Sequence, residues 1–158
     1  MKPSDERTPE HVLDVVRAFD RIALDPCTTD ANPAKAIIAY TIADNGLACG
    51  WTKWTGVVYV NPPYSRGQLP LWIEKCVRES LSGSEVIALI PSDLCSKAGA
   101  LAASTADALC FVRGRLAFGS PAGQLEQGAK QPSVLVYWGD RAKRFERVFS
   151  QLGVVWTR

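Results

Sequence analysis

Histidine and paired cysteines are scarce in this sequence of 158 residues. His11 is the only histidine, and the five cysteines form no Cys-x-x-Cys pair. Because zinc sites and Ser-His-Asp triads commonly need imidazole groups, we expect no metal site and no such triad. We expect the cysteines to be reduced thiols that pack mostly as small hydrophobic side chains.

Long hydrophobic runs are also missing. No apolar stretch approaches the ~20 residues that a membrane helix requires. The charged start MKPSDERTPE contains no apolar segment of a secretory signal, so we expect a cytoplasmic protein without a membrane partner. The net charge of +2 permits a nucleic-acid partner but does not by itself indicate one.

The remaining composition is that of a globular protein. Hydrophobic residues make up 47% of the chain, with 12 glycines and 10 prolines, which excludes disordered and fibrous classes. The length fits one domain. We therefore expect a single domain over residues 1–158, with a core that needs no disulfide.

Helix-like and strand-like segments alternate along the chain, which predicts an α/β sandwich around a largely parallel sheet. Predicted strands cover residues 22–25, 56–61, 86–90, 108–112, 133–138 and 154–156. Predicted helices begin at the Thr8-Pro9 pair and cover residues 69–81, 98–106 and 141–152. Residues 28–45 stay ambiguous, and residues 119–132 form a predicted long loop.

Two helices carry predictions about individual side chains. The Thr8 hydroxyl is predicted to cap the first helix, with Pro9 in its first turn. The inner face of the helix over residues 69–81 is predicted to hold Leu71, Ile73, Val77 and Leu81.

Other basic and aromatic side chains are interpreted as surface or packing residues. The basic cluster of the last helix is interpreted as a solvated face rather than a DNA-binding patch; it consists of Arg141, Lys143, Arg144 and Arg147. Packing in the core or at its rim is favoured over stacking on bases for Trp51, Trp54 and Trp72.

Several predicted strands end in residues that suit a binding site. Asp25, Asn61 and Pro91 each follow or close such a strand. In open parallel sheets, ligands bind beyond the carboxyl ends of the strands. We therefore expect a site at this edge of the sheet.

The sequence Asn61-Pro62-Pro63-Tyr64 follows the clearest strand. Two prolines end the strand and stiffen the turn, because they cannot donate to a sheet ladder. The Pro62 carbonyl and the Asn61 amide oxygen then become fixed acceptors beside the flat Tyr64 ring. Such acceptors suit a planar ring with an exocyclic amine, whose lone pair stays available for attack.

This motif resembles the catalytic motif of amino-group methyltransferases that use S-adenosylmethionine. The resemblance extends in order through TPEHVLDVVRAF, IALDPCTTDAN, ADNGL, GVVYVNPPYS, ADALCFVRGRLAF and PSVLVYWG. Over nearly the whole chain, the sequence is similar to the phage-type DNA adenine N6-methyltransferase (Dam) family. The resemblance implies the Rossmann-like three-layer sandwich of class I methyltransferases, with a mostly parallel sheet and an antiparallel C-terminal strand.

The resemblance also implies roles for individual residues. Catalysis falls to Asn61, Pro62, Pro63 and Tyr64, and binding of S-adenosylmethionine to Thr8, Pro9, Asp25, Pro26, Cys27 and Asp44. Thr8 and Pro9 are implied to contact the methionine carboxylate, which suits the free N–H groups of a helix N-terminus. Asp25 is implied to meet the methionine amino group, and Asp44 to lie near the adenosine.

The chain departs from most class I methyltransferases after its first strand. Asp25 is followed by PCTTDANP, and no glycine occurs before Gly46. A glycine-rich loop is therefore missing where the backbone usually approaches the cofactor. The phage-type family shares this trait, and we assign no glycine to cofactor binding.

The implied partner is double-stranded DNA, from which the target adenine is flipped out of the stack. Implied contacts to DNA are Ser65, Arg66, Arg113 and Arg115. A chain of this length leaves little room for a separate target-recognition domain. We therefore expect a short or relaxed recognition sequence and a monomer or weak homodimer. The resemblance also implies a phage or prophage origin.

The sequence thus predicts an S-adenosylmethionine-dependent DNA adenine N6-methyltransferase. One alternative is methylation of another planar amine: cytosine N4, RNA adenine or a protein glutamine. Asparagine at the first motif position favours adenine over cytosine as a family tendency. The other alternative is a catalytically silent nucleic-acid-binding module of the same fold, which failure to bind the cofactor would favour.

Overall fold

The computed structural model describes residues 7–51, 55–65, 67–118 and 132–158. Trp54, Arg66 and the predicted loop up to residue 131 lie outside these ranges. The elements are α1 (Glu10–Phe19), β1 (Ile22–Asp25), β2 (Ile38–Ala39), β3 (Val57–Val60), α2 (Gln68–Leu81), β4 (Glu85–Pro91), α3 (Lys97–Thr105), β5 (Ala108–Val112), β6 (Ser133–Trp138), α4 (Ala142–Phe149) and β7 (Gly153–Thr157), with a 3-10 turn at Ile42–Asp44. The ambiguous stretch thus contains only the short strand β2 and this turn.

The strands of the described ranges form one sheet in the order β2-β1-β3-β4-β6-β5-β7. The first four strands of this order are parallel. Strand β6 runs antiparallel between β4 and β5, and β7 runs antiparallel to β5 at the edge. The mostly parallel sheet with an antiparallel C-terminal strand is confirmed, and β6 adds a second antiparallel strand inside the sheet.

Helices cover both faces of the sheet. One hydrophobic cluster joins the sheet to α1 and α4, where the Phe19 ring meets the rings of Phe145 and Phe149 edge to face. The other cluster joins the opposite face to α2 and α3. Strands β1, β3 and β6 are buried along their whole length, as expected for strands covered on both sides. The predicted three-layer sandwich is therefore confirmed.

The predicted inner face of α2 is wrong at two of its four positions. Leu71 is 48% exposed and Leu81 is 85% exposed. The helix instead buries Trp72, Ile73, Lys75, Cys76 and Glu79. Apolar spacing alone could not indicate this face, because it contains two charged residues.

Trp51 explains why α2 is turned this way. Its indole is fully buried and stacks on Trp72 with the ring centroids 6.3 Å apart. Beneath it, the Lys75 ammonium lies 5.3 Å from the indole centroid and forms an ion pair with Glu79. The Glu79 carboxylate also accepts the Trp51 backbone N–H at 3.1 Å. Core packing of Trp51 and Trp72 agrees with the sequence prediction.

The interpretation of the α4 basic cluster as a solvated face is wrong for two of its members. The Arg141 guanidinium donates to Glu85 and Asp20, at 2.8 and 2.6 Å. Arg144 donates to the carbonyl of Phe19 at the end of α1. Both arginines therefore join α4 to its neighbours, whereas Lys143 and Arg147 are exposed as predicted.

Two further expectations concern cysteines and membrane segments. All five cysteines are free thiols; Cys76 and Cys110 are fully buried, whereas Cys95 is exposed. Within the described ranges, no helix combines the length and the apolar character needed to cross a membrane.

Candidate active site

A cavity of about 220 Å³ lies beyond the carboxyl ends of β1 and β3. Asp25, which closes β1, and Asn61, which follows β3, both line it. Because β1 and β3 are adjacent parallel strands, their ends meet at one edge of the sheet. Pro91, at the end of β4, is not among the described residues of the lining. The sheet thus brings two of the three predicted strand-end residues together.

The turn after β1 holds Asp25 in a fixed position. Its side chain is buried, and Oδ1 accepts the Cys27 backbone N–H at 3.2 Å across Pro26. The Cys27 thiol in turn donates to the backbone carbonyl of Asn61 at 3.3 Å. This contact joins the turn that holds Asp25 to the start of the proline motif.

Gly46 packs directly against this turn. A Cβ added at residue 46 would lie 1.9 Å from the Pro26 carbonyl oxygen, so no larger side chain fits without displacing the backbone. The Gly46 carbonyl accepts the Trp51 indole N–H at 3.0 Å. The absence of a side chain at residue 46 therefore allows this segment to pack against the Asp25-Pro26-Cys27 turn. The Asn45-Gly46 pair, a common turn sequence, indicates a turn but not this packing.

The proline motif is held by both of its polar side chains. Asn61 is buried, and its Nδ2 donates to the Thr8 hydroxyl at 3.0 Å. Its Oδ1 accepts from the Tyr64 hydroxyl at 3.3 Å. The single proton of that hydroxyl is shared with the Leu89 carbonyl of β4, which lies 3.0 Å away. Pro62 and Pro63 are buried between these anchors, and Pro63 lines the cavity.

Thr8 does not cap α1, so that prediction is wrong. The N-cap residue is Pro9, and no side chain from the described part of the chain caps the helix there. The Thr8 hydroxyl instead lies 2.8 Å from the hydroxyl of Tyr59 and accepts from Asn61. The hydroxyl bonds these distant groups rather than the helix start because they are buried polar groups that require hydrogen-bond partners. Tyr59 is a cavity residue that the sequence prediction missed.

Asp44 lies beside the cavity but is not among the described residues that line it. Its carboxylate accepts the backbone N–H and the hydroxyl of Thr41, at 2.7 and 2.9 Å, and so caps the 3-10 turn. These two hydrogen bonds lower the pKa of Asp44. Its neighbours Ile42 and Asn45 do line the cavity. A contact between Asp44 and the adenosine stays a prediction.

The residues predicted to contact DNA lie on the surface. Ser65 is exposed directly after the proline motif. Arg113 and Arg115 are exposed after β5, with Gly114 between them at a φ of 73°. Strand β5 runs in the same direction as β4, since both are antiparallel to β6. Both arginines therefore follow a strand that ends at the sheet edge where the cavity opens, whereas Arg66 lies outside the described residues.

Several polar groups of the cavity were not predicted. Among the described residues, the buried side-chain nitrogen and oxygen atoms without a hydrogen-bond partner are Arg7 Nε, Thr28 Oγ1, Thr29 Oγ1, Trp72 Nε1 and Ser84 Oγ. All of these residues except Ser84 line the cavity. Leaving buried polar groups unpaired costs free energy, so their clustering indicates a polar ligand. The position of Thr28 and Thr29 directly after the Asp25-Pro26-Cys27 turn was the sequence signal that could have identified them as cavity residues.

Comparison with known proteins agrees with this geometry. A family model described as DNA N-6-adenine-methyltransferase (Dam) matches residues 4–152. No curated protein and no solved structure matches the chain. The matched region includes the cavity, the proline motif and all elements from α1 to α4. The chain therefore belongs to the Dam family of DNA adenine N6-methyltransferases.

Proposed function

We propose that this protein transfers a methyl group from S-adenosylmethionine to the N6 amine of an adenine flipped out of double-stranded DNA. The observation that carries the proposal is the meeting of Asp25 and the Asn61 motif at one cavity, at the ends of adjacent parallel strands. The Asp25 carboxylate is suited to a cationic amine, and the Asn61 amide is suited to a neutral one. The family membership supports adenine in DNA as the target.

The residues of the cavity fit S-adenosylmethionine. The buried Asp25 carboxylate suits its positive amino group. The unpaired donors nearby suit acceptors of the same molecule: Arg7 Nε a carboxylate, and the hydroxyls of Thr28 and Thr29 its ribose or carboxylate oxygens. The Pro26 and Cys27 backbone completes this side of the proposed site. When bound, the cofactor supplies a methyl group activated by a sulfonium centre.

The proline motif is proposed to hold the target amine. The Asn61 side-chain oxygen and the Pro62 carbonyl accept its two hydrogens, so that the nitrogen lone pair points along the line of attack. The ring of Tyr64 is proposed to stack on the flipped base, and its hydroxyl contact to Leu89 restrains the ring. Rate enhancement then comes from positioning, which needs no covalent intermediate.

DNA is proposed to cross the sheet edge above the cavity. Ser65, Arg113 and Arg115 are exposed there and suit contacts to backbone phosphates. Arg66 is assigned to the same surface from the sequence alone. A phage or prophage origin and a short recognition sequence remain parts of this proposal.

Mass spectrometry of nucleosides tests the proposal. Unmethylated DNA is incubated with the protein and S-adenosylmethionine, using wild type, Asn61→Ala and Gln151→Ala. Gln151 is an exposed amide outside the cavity, so its variant controls for loss of an amide group. We expect N6-methyladenine from wild type and Gln151→Ala, and none from Asn61→Ala, with calorimetric cofactor affinity unchanged in all three.

Other outcomes would replace the proposal. N4-methylcytosine as the product would move the target to cytosine. No methylated base despite cofactor binding would move it to RNA or protein. No cofactor binding by the folded wild type would support a catalytically silent module. Loss of cofactor binding in Asn61→Ala alone would make Asn61 a cofactor ligand.

A further inference from the structure

The hydroxyl of Thr8 is the junction of a buried network at the base of the cavity. The Tyr59 hydroxyl lies 2.8 Å and the Asn61 Nδ2 3.0 Å from Thr8 Oγ1. All three residues are at least nine-tenths buried and line the cavity. They come from the segment before α1, from β3 and from its end, so only the tertiary structure brings them together.

The number of protons limits how this network can be arranged. Either hydroxyl can donate in the contact between Thr8 and Tyr59. When the Thr8 hydroxyl donates to Tyr59, its oxygen is left as an acceptor, and the Asn61 Nδ2 group faces it. The Asn61 oxygen then lies on the other side of the amide, within 3.3 Å of the Tyr64 hydroxyl.

We propose that Thr8 is a positioning residue that holds the Asn61 amide with its oxygen toward the target amine. The inference rests on the function proposed above. In the opposite amide orientation, an N–H group of Asn61 would face the N–H groups of the target, and neither could accept a hydrogen bond. Thr8 thus acts through Asn61, rather than by the direct cofactor contact that the family resemblance implies.

Steady-state kinetics at saturating DNA and cofactor test this role. Thr8→Val keeps the branched shape and removes the hydroxyl. We expect its kcat to fall about 10- to 100-fold, the range typical of misplaced reacting groups. We expect its Kd for S-adenosylmethionine to stay at the wild-type value in calorimetry. Thr8→Ser restores the hydroxyl and should recover most of the rate, which a loss of packing would not allow.

Tyr59→Phe supplies a second, milder test. It removes the hydroxyl that engages the Thr8 proton but leaves the Thr8–Asn61 contact, so we expect a smaller loss of kcat and an unchanged cofactor Kd. If melting curves show that Thr8→Val does not fold, Tyr59→Phe becomes the deciding variant. An unchanged kcat in Tyr59→Phe would then overturn the inference.

Two results with Thr8 itself would also overturn it. A raised cofactor Kd with unchanged kcat would make Thr8 a cofactor ligand. Equal losses in Thr8→Val and Thr8→Ser would indicate packing alone. Failure of the wild type to methylate DNA would contradict the proposed function instead, so the two failures can be distinguished.

Discussion

At the scale of single residues, the site depends on close contacts between segments that are distant in the sequence. Thr8 contacts Asn61 across 53 positions, and Cys27 contacts Asn61 across 34. Gly46 lies against Pro26 so closely that no side chain fits between them. The sequence contains each of these residues, but nothing in their local patterns indicates which of them meet.

Gly46→Ala tests the closest of these contacts. Its Cβ would overlap the Pro26 carbonyl, and that carbonyl is backbone, which cannot rotate away as a flexible side chain would. We expect a loss of about 1–3 kcal/mol in the free energy of unfolding, the range for overpacking. We also expect weaker binding of S-adenosylmethionine, because the shift displaces the Asp25 turn. Urea denaturation and calorimetry measure the two effects.

Gly50→Ala is the matched control for this substitution. A Cβ at residue 50 meets no atom of the described residues within 4 Å. We expect little change in either measurement. Equal effects of the two alanines would mean that backbone entropy, rather than the contact with Pro26, determines the result at residue 46.

At the scale of elements, α2 shows how a few buried groups decide which face of a helix points inward. Its aliphatic residues Leu71 and Leu81 are exposed, and its Lys75–Glu79 ion pair is buried under Trp51. The pair remains buried because each charge has a partner and Glu79 also accepts a backbone N–H. The position of α2 in turn sets Trp72 against the cavity.

Lys75→Met tests the contribution of this ion pair. It leaves the Glu79 carboxylate buried and without its cation, so we expect a loss of about 3–5 kcal/mol in the free energy of unfolding. Arg78→Met removes an exposed cation from the same helix and should change this free energy little. Adding Glu79→Gln to Lys75→Met neutralises the stranded charge while keeping an acceptor for Trp51. A double variant no more stable than Lys75→Met would contradict this explanation.

At the scale of the whole molecule, the direction of the strands separates two surfaces. The cavity, Arg113 and Arg115 are found where the parallel strands and β5 end. Strand β6 runs the other way, so α4 and its exposed Lys143 begin at the opposite edge of the sheet. The topology therefore predicts that cations of one edge contact DNA and those of the other do not.

Salt-dependent DNA binding tests this division. For Arg113→Gln and Arg115→Gln, we expect weaker binding and a slope of log K against log salt that is shallower by about one unit per phosphate contact. Lys143→Gln removes one positive charge at the opposite edge and should leave the slope unchanged. Fluorescence anisotropy with a labelled duplex measures all three. If Lys143→Gln lowered the DNA affinity and the salt slope as much as the arginine variants do, the effect would come from net charge rather than from a DNA-binding edge.

The strongest sequence predictions concern segments whose own residues specify their structure. Residues 108–112 and 133–138 form strands with the predicted bounds, because their β-branched and aromatic side chains suit buried strands. The strand predicted over residues 56–61 is observed as β3 over Val57–Val60, and it ends just before the proline pair, which cannot donate to the sheet. By contrast, helix boundaries and faces were less accurate, as Thr8 and α2 show.

Local pattern alone therefore determined most of the elements, the α/β layering and the place of the proline motif, because hydrophobic periodicity and proline geometry act over a few residues. Tertiary structure decided the partner of each polar side chain. The Thr8 hydroxyl contacts Tyr59 and Asn61 instead of capping α1, and Gly46 packs against Pro26. The physical reason is that a buried polar group must find a hydrogen-bond partner wherever packing brings one, and that partner need not be near in sequence.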